Sequence, residues 1–217
     1  MQKISGKNKV TSNIIQSYEL DLKRIALELH EGVAQNLYSI NTIMKLIEHD
    51  LIDEKLKKVT NDMNLTIDRV IKDIQYLSIE LYPLTISTLG LQSALKSYTN
   101  IFTSLYGIEV MIENKGKELE LTEQVKIIVF RVCQEALLNI AKYADSDIAS
   151  ISFNWQKSFL TVIIKDYGVG FSEDDLLNKE TPGLISMEEK IKLLGGDFLI
   201  NSNDMKGTEV ILTIPYT

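Results

Sequence analysis

A chain of 217 residues with 45% hydrophobic content has room for one large domain or two small ones, and enough apolar material for a core. Its formal net charge of -7 and isoelectric point of 5.0 argue against direct binding of nucleic acid, which rests on Lys and Arg neutralising phosphates. The single cysteine, Cys133, has no internal disulfide partner and lies in an apolar helical segment, which suits a reducing compartment and a packing role. No stretch is long and apolar enough for a membrane span or a secretory leader, so the expected location is cytoplasmic.

Residues 1–13 are polar and without periodicity, a flexible lead-in. From about Asn13 to Asp50 the apolar residues Leu22, Ile25, Leu29, Val33, Leu37, Ile40, Met44, Ile47 and Leu51 recur in steps of three or four, the spacing of one long amphipathic helix. A short polar break follows, and then a second helical pattern through Leu56, Val59, Met63, Ile67, Val70, Ile74, Leu77 and Leu81, stopped by Pro83. Two long helices on a short turn predict an antiparallel hairpin over 14–84, and its uncovered apolar stripe predicts a homodimer closed as a four-helix bundle.

Inside the first helix, Arg24-Ile-Ala-Leu-Glu-Leu-His30-Glu31-Gly-Val-Ala-Gln35 places an imidazole beside the apolar seam, with a carboxylate and a carboxamide four residues apart on one face. An imidazole largely neutral at pH 7 keeps a lone pair for attack on phosphorus. A neighbouring carboxylate can take the proton from the other ring nitrogen, and a glutamine can orient water for the reverse reaction. Taken alone, a histidine on a helix margin is an ordinary surface or packing residue. His49, also followed by an acid, sits in the last helical turn, where the helix dipole favours a partly cationic ring, and Glu54 stands where a glutamine would be needed.

The second half, 85–217, alternates helices and strands. Pro83 to Gly90 reads as a connector, Leu91 to Tyr106 as a helix ended by Gly107, Ile108 to Glu113 as a strand, and Thr122 as the N-cap of a helix reaching Ala144. Strands are expected at 148–155, 159–165, 198–202 and 208–215, with a helix over 183–194. Antiparallel strand pairs with intervening helices imply an α/β sandwich whose sheet is covered on one face. Three features carry chemistry. On the helix, Glu135, Asn139 and Lys142 share one side; Asn139 offers an oxygen to Mg²⁺ and Lys142 a cation to phosphate. Next, Asp166-Tyr-Gly168-Val-Gly170-Phe171 follows a strand and joins a carboxylate, able to accept from an exocyclic amine, to glycines that allow close approach. Finally, Gly183-Leu184 opens a helix whose free N–H groups suit phosphate, and Gly207-Thr208 opens the last strand. Singly, each could be a solvated helix face or a glycine-rich turn.

In order and spacing, Glu135 to Asn139, then DYGVGF, GLISMEEKIKLLGG and KGTEV resemble the N, G1, G2 and G3 boxes of the GHKL (Bergerat) ATPase fold of histidine kinases, gyrase, Hsp90 and MutL. With RIALELHEGVAQ upstream and the LYPLTISTLGLQSAL linker, the chain resembles histidine kinases of the DesK, LiaS and NarX type over about Arg24 to Pro215. The resemblance implies a helical dimerisation and phosphotransfer hairpin followed by a GHKL domain, with ATP and Mg²⁺ as cofactors. It makes His30 the phosphoacceptor, Glu31 its acid/base partner, Gln35 the residue that helps water attack a phosphorylated partner, and Glu135 a catalytic group at the nucleotide. Asn139 would hold Mg²⁺, Lys142 phosphate and Asp166 the adenine amine, with Gly168, Gly170, Gly183, Leu184 and Thr208 shaping the pocket. The implied partners are a second copy, a response regulator of the NarL type that receives the phosphoryl group on an aspartate and is dephosphorylated in turn, and an upstream, membrane-anchored sensor outside this chain. A nonphosphorylating ATP-gated scaffold and a GHKL protein-serine kinase are the alternatives. Glu31 stands where such kinases more often have Asp, Tyr143 where they often have His, and Thr181, Pro182 and Ser186 where further glycines are usual.

Overall fold

The computed structural model describes residues 17–171, 182–203 and 206–216, and the chain divides between Leu84 and Thr85 into two units. In the first unit, α1 covers 17–27, a π-helical turn covers Glu28–Ala34, α2 runs Gln35–Asp50 and α3 runs Glu54–Leu81. Asp53 caps α3, its carboxylate accepting from the Lys55 amide at 2.8 Å and the Leu56 amide at 3.3 Å, which satisfies two of the orphan donors of a helix start. Pro83 follows directly after the C-cap Tyr82, where a ring that cannot continue the helix belongs.

The sequence expectation of one regular helix to Asp50 is corrected here, because the π turn interrupts it; residues 13–16 of that expectation lie outside the described residues. The cause lies in the spacing of the seam. On α3 the buried positions Asn64, Ile71 and Ser78 fall seven apart, a heptad step. Opposite them Ala26, Ala34 and Asn41 are buried, and Glu48 accepts from the Asn64 amide at 2.6 Å across the hairpin. The last three of these four also fall seven apart, but Ala26 to Ala34 is eight. Eight α-helical residues overshoot two turns by about 80°, so one residue has to be absorbed if both alanines are to face α3. A π turn, with its i→i+5 bonds, absorbs it. Apart from Ile71, the seam is thus made of small and polar side chains, and much of the apolar stripe, including Ile40, Ile43 and Ile47 on α2 and Val59 and Met63 on α3, stays exposed.

In the second unit, α4 (Ile86–Tyr106) is broken at Gly90, whose φ of 82° lies outside the helical region, so the expected connector contributes an extra turn before the main helix. Gly107, at φ 73°, ends it in the left-handed C-cap conformation. Then come β1 (Glu109–Lys115), α5 (Glu123–Tyr143), β2 (Ile148–Trp155), β3 (Phe159–Asp166), α6 (Pro182–Leu193), β4 (Asp197–Ser202) and β5 (Thr208–Pro215). Thr122 is the N-cap of α5, its hydroxyl accepting from the Val125 amide at 3.4 Å.

The five strands lie in the order β1-β2-β3-β5-β4. The sheet is mixed rather than wholly antiparallel, since β1 and β2 run parallel with α5 as the crossover between them. Burial alternates along β2 and β3: Ala149, Ile151, Phe153, Leu160, Val162 and Ile164 turn to the core, while Ser150, Ser152, Thr161 and Lys165 turn the other way. Against the buried face pack α4 and α5, where Tyr98 meets Phe130 edge-on with ring centroids 5.6 Å apart and Phe102 at 6.1 Å. Cys133 is wholly buried in this layer, and burial pushes its thiol up to about 12, which leaves it an inert packing group.

Candidate functional site

The second unit contains a cavity of about 650 Å³ to which four separated stretches contribute. From α5 come Glu135, Asn139 and Lys142, three residues on one helix face, with Tyr143 beside them. From the end of β3 and the loop after it come Asp166, Gly170 and Phe171; from the first turn of α6, Pro182, Gly183 and Leu184; and from β5, Thr208. The cavity therefore gathers every side chain proposed for the nucleotide end from the sequence. Gly168 is the exception, since it does not line the cavity.

Gly168 acts from behind the wall. A Cβ there would lie 1.8 Å from the Ala144 carbonyl oxygen at the end of α5, so only glycine lets the loop approach so closely. The next amide, Val169, donates to that same carbonyl at 2.8 Å, pinning the loop to the helix end. Asp166 is only 3% exposed, and its Oδ1 accepts the Gly168 amide at 2.9 Å, which fixes the carboxylate's orientation. Gly207, at φ 78°, presses against it; a Cβ there would come within 2.2 Å of the Asp166 carbonyl oxygen. At Gly183 a Cβ would meet Glu135 Oε1 at 2.5 Å, so the opening of α6 lies against the carboxylate of α5.

Sequence reasoning missed Ser202. Its Oγ accepts the Phe171 amide at 2.9 Å, lies 3.3 Å from the Gly207 carbonyl as donor, and sits 3.1 Å from the Thr208 hydroxyl. One hydroxyl thus ties the DYGVGF loop to the start of β5 and to Thr208 in the cavity wall. The tie depends on Ser202 and Thr208 being register partners across β4 and β5, which the linear spacing does not reveal.

Chemically the cavity pairs two carboxylates with one lysine and the amide-rich start of a helix. The first-turn N–H groups of α6, which a helix leaves without partners of its own, favour an anion, and the fixed Asp166 carboxylate favours a donor such as an exocyclic amine. Among the described residues, no cluster of three His, Cys, Asp or Glu stands ready to cage a metal. Asn139 and Glu135 instead offer isolated oxygens, the donor set that Mg²⁺ uses when ligand phosphates and water complete its shell.

In the first unit, His30, Glu31 and Gln35 are exposed; His30 and Glu31 lie within the π turn and Gln35 directly after it. Nothing bonds His30 to Glu31 among the described residues. His30, expected beside the seam on its margin with water, is exposed. His49 instead bonds its neighbour, Nδ1 to Asp50 Oδ1 at 3.0 Å, with both side chains 87% exposed. Gly32 has nothing within 4 Å of where a Cβ would be, so neither space nor backbone requires glycine there.

Residues 124–217 match the family of histidine kinase-, DNA gyrase B- and HSP90-like ATPases. The chain is 32% identical over 211 residues to the oxygen sensor histidine kinase NreB of Staphylococcus carnosus, covering 97% of this chain and 61% of that protein. Among solved structures it resembles the histidine kinase domain of a blue-light activated histidine kinase from Erythrobacter litoralis, with a TM-score of 0.53 at 14% identity over 83% of this chain and 94% of that one. The longer form of that kinase matches at a TM-score of 0.53 and 17% identity, over 89% of this chain and 59% of that one. A helical region followed by an α/β ATPase unit is thus the histidine kinase fold. Residues 124–217 thus resemble the histidine kinase-type ATPases, and the chain as a whole is similar to a sensor histidine kinase of whose length it spans 61%. Among the described residues no helix is long and apolar enough to cross a membrane.

Proposed function

We propose that this chain is the catalytic core of a two-component sensor: it binds ATP in the α/β unit, transfers the γ-phosphoryl group to His30, and passes it to an aspartate on a response regulator. What supports this most is the cavity, which brings Glu135, Asn139, Lys142, Asp166, Gly183 and Thr208 together from four stretches of sequence. Asp166 accepts from the adenine amine, Lys142 and the start of α6 meet phosphate, and Glu135 serves as a catalytic carboxylate at the phosphate end. Asn139 would hold Mg²⁺ beside the nucleotide, and the ion would supply charge neutralisation at the phosphate end.

In the transfer, a ring nitrogen of His30 forms the bond to phosphorus as the bond to the bridging oxygen of ADP breaks, and Glu31 takes the proton from the other ring nitrogen. Positioning and charge neutralisation do most of the work in such a step. Gln35 orients water against the phosphorylated regulator, which makes the protein bifunctional. The regulator is of the NarL type, and the upstream sensor is anchored in the membrane. The exposed apolar residues of α2 and α3 are covered by a second copy in a four-helix bundle, since Ile43 and Leu46 at 57% and 65% exposure are otherwise left in water.

Incubation of the chain with γ-labelled ATP and Mg²⁺ tests the reading. Acid-labile label is expected on the wild type, and none on His30→Ala, which still binds nucleotide. Label that survives His30→Ala, or that is acid-stable, overturns the assignment. Gln35→Ala is expected to slow dephosphorylation of the regulator more than it slows labelling.

A further inference from the structure

Granting that the cavity holds a purine nucleotide, the reading on which this rests, we infer that Ser202 makes it select an amino over an oxo group on the base, by fixing where the Thr208 hydroxyl sends its proton. Ser202 does not itself line the cavity. A hydroxyl has one proton to give and lone pairs for two donors. Three groups surround Ser202 Oγ: the Phe171 amide at 2.9 Å, which can only donate; the Gly207 carbonyl at 3.3 Å, which can only accept; and the Thr208 hydroxyl at 3.1 Å, which can do either. A single arrangement satisfies all three. Ser202 gives its proton to Gly207 and receives those of Phe171 and Thr208.

Reversing the Ser202–Thr208 bond takes the donor from the Gly207 carbonyl. Gly207 is buried and lies outside β4 and β5, and among the described residues Ser202 Oγ is the donor its carbonyl has. A buried acceptor deprived of its donor bears its full desolvation cost, so the reversed bond is disfavoured. The Thr208 proton is thus committed to Ser202, and Thr208 Oγ1 has only lone pairs left for a ligand in the cavity it lines.

The sheet register brings a second acceptor alongside. Ile164 pairs with Val210 and Lys165 with Glu209 across β3 and β5, so one step further Asp166 stands opposite Thr208. Alternation puts both on the face of Ile164 and Val210, and all four residues line the cavity. The Asp166 carboxylate alone discriminates little, because it accepts equally from an exocyclic amine or from the ring N–H of an oxo-purine. Thr208 locked as an acceptor does discriminate: it receives from an amine and opposes the lone pairs of an oxo group. A Thr208 hydroxyl without the lock turns and donates to that oxygen instead.

The probe is ITP, whose base edge carries an oxo group and a ring N–H where ATP has the amine and a bare ring nitrogen. In calorimetric titration of the full chain with Mg²⁺, the wild type is expected to bind ATP more tightly than ITP. Ser202→Ala lowers the ratio of ATP to ITP affinity by roughly two- to tenfold, the effect of one hydrogen bond. In a Thr208→Val background, Ser202→Ala leaves the ratio where Thr208→Val has put it, because both act through one hydroxyl. A serine that merely braced the loop would weaken both nucleotides equally. A wild type without preference, a ratio unchanged or raised in Ser202→Ala, or a further fall in the double variant overturns the inference while leaving the nucleotide reading intact. A wild type that binds neither nucleotide refutes that reading, and the inference with it.

Discussion

The two units bury opposite kinds of residue. In the α/β unit the sheet and its helices enclose Phe130, Phe153, Leu160, Val162 and Leu212, and its buried polar groups are few and bonded where they matter, as Asp166 is. In the hairpin the buried positions include Asn41, Thr60, Asn64 and Ser78 beside Ala26, Ala34 and Ile71, while many of its isoleucines and leucines are exposed. Asn41 donates to Asp68 and Asn64 to Glu48, yet among the described residues the amide oxygen of each asparagine finds no partner. A sheet covered by helices completes its core within one chain. A hairpin has a seam but no core, so its polar pairs set the register of α2 against α3 and its stability has to come from whatever covers the apolar stripe.

The largest effect that tests this contrast lies in the sheet. Phe153 is fully buried, and Phe153→Ala is expected to cost about 3–5 kcal/mol in denaturant unfolding of the α/β transition, at any protein concentration. The companion change is Ile43→Ala on α2, 57% exposed in the single chain. If a second copy covers it, the loss is about 2–5 kcal/mol and the melting temperature depends on concentration. A change within about 0.5 kcal/mol with no concentration dependence would remove the four-helix bundle from the account.

Cys133 sharpens the contrast through pH. Its thiol ionises near the ordinary 9.0 in the unfolded chain but is held up to about 12 by burial in the native one. Between these values the unfolded state binds fewer protons, so this residue's contribution is fully present below pH 9.0 and is lost as pH rises through about 12. The slope is about 1.4 kcal/mol per pH unit, or on the order of 3 kcal/mol across two units, confined to the α/β transition. Cys133→Ala should flatten it; an unaltered slope would mean the thiol is not sealed from water.

A smaller effect is expected where the wall of the cavity is held from behind. Ser202→Ala removes the hydroxyl shared by the Phe171 amide, the Gly207 carbonyl and Thr208, and should weaken ATP binding by roughly two- to tenfold in calorimetric titration. Undiminished affinity would show that Thr208 holds its place without it.

What could be read in the sequence follows the same division. In the α/β unit each local signal agrees with the fold: alternation for β2 and β3, Thr122 as a cap, Gly107 as a stop, Glu135 and Asn139 four apart on a helix. Those signals were enough to anticipate the cavity's lining because one helix face and three chain turns supply it. What escaped was set by pairing between strands: the parallel β1 and β2, and Ser202 opposite Thr208. In the hairpin the apolar stripe was legible, but the seam was not, since the residues that face α3 are small or polar and look like surface. The π turn was legible only in retrospect, from the step of eight between Ala26 and Ala34 beside sevens elsewhere.

Gly32 offers the finest test of that turn. Glycine in a helix interior is worse than alanine by about 1 kcal/mol, and among the described residues nothing repays the difference, since beyond its own helical backbone and chain neighbours a Cβ at Gly32 meets no atom within 4 Å and its backbone is not among those at positive φ. Gly32→Ala is therefore expected to raise the stability of the hairpin by up to about 1 kcal/mol, measured as a shift in its denaturation midpoint. A hairpin that loses stability would mean that position 32 is more crowded than the open space found here.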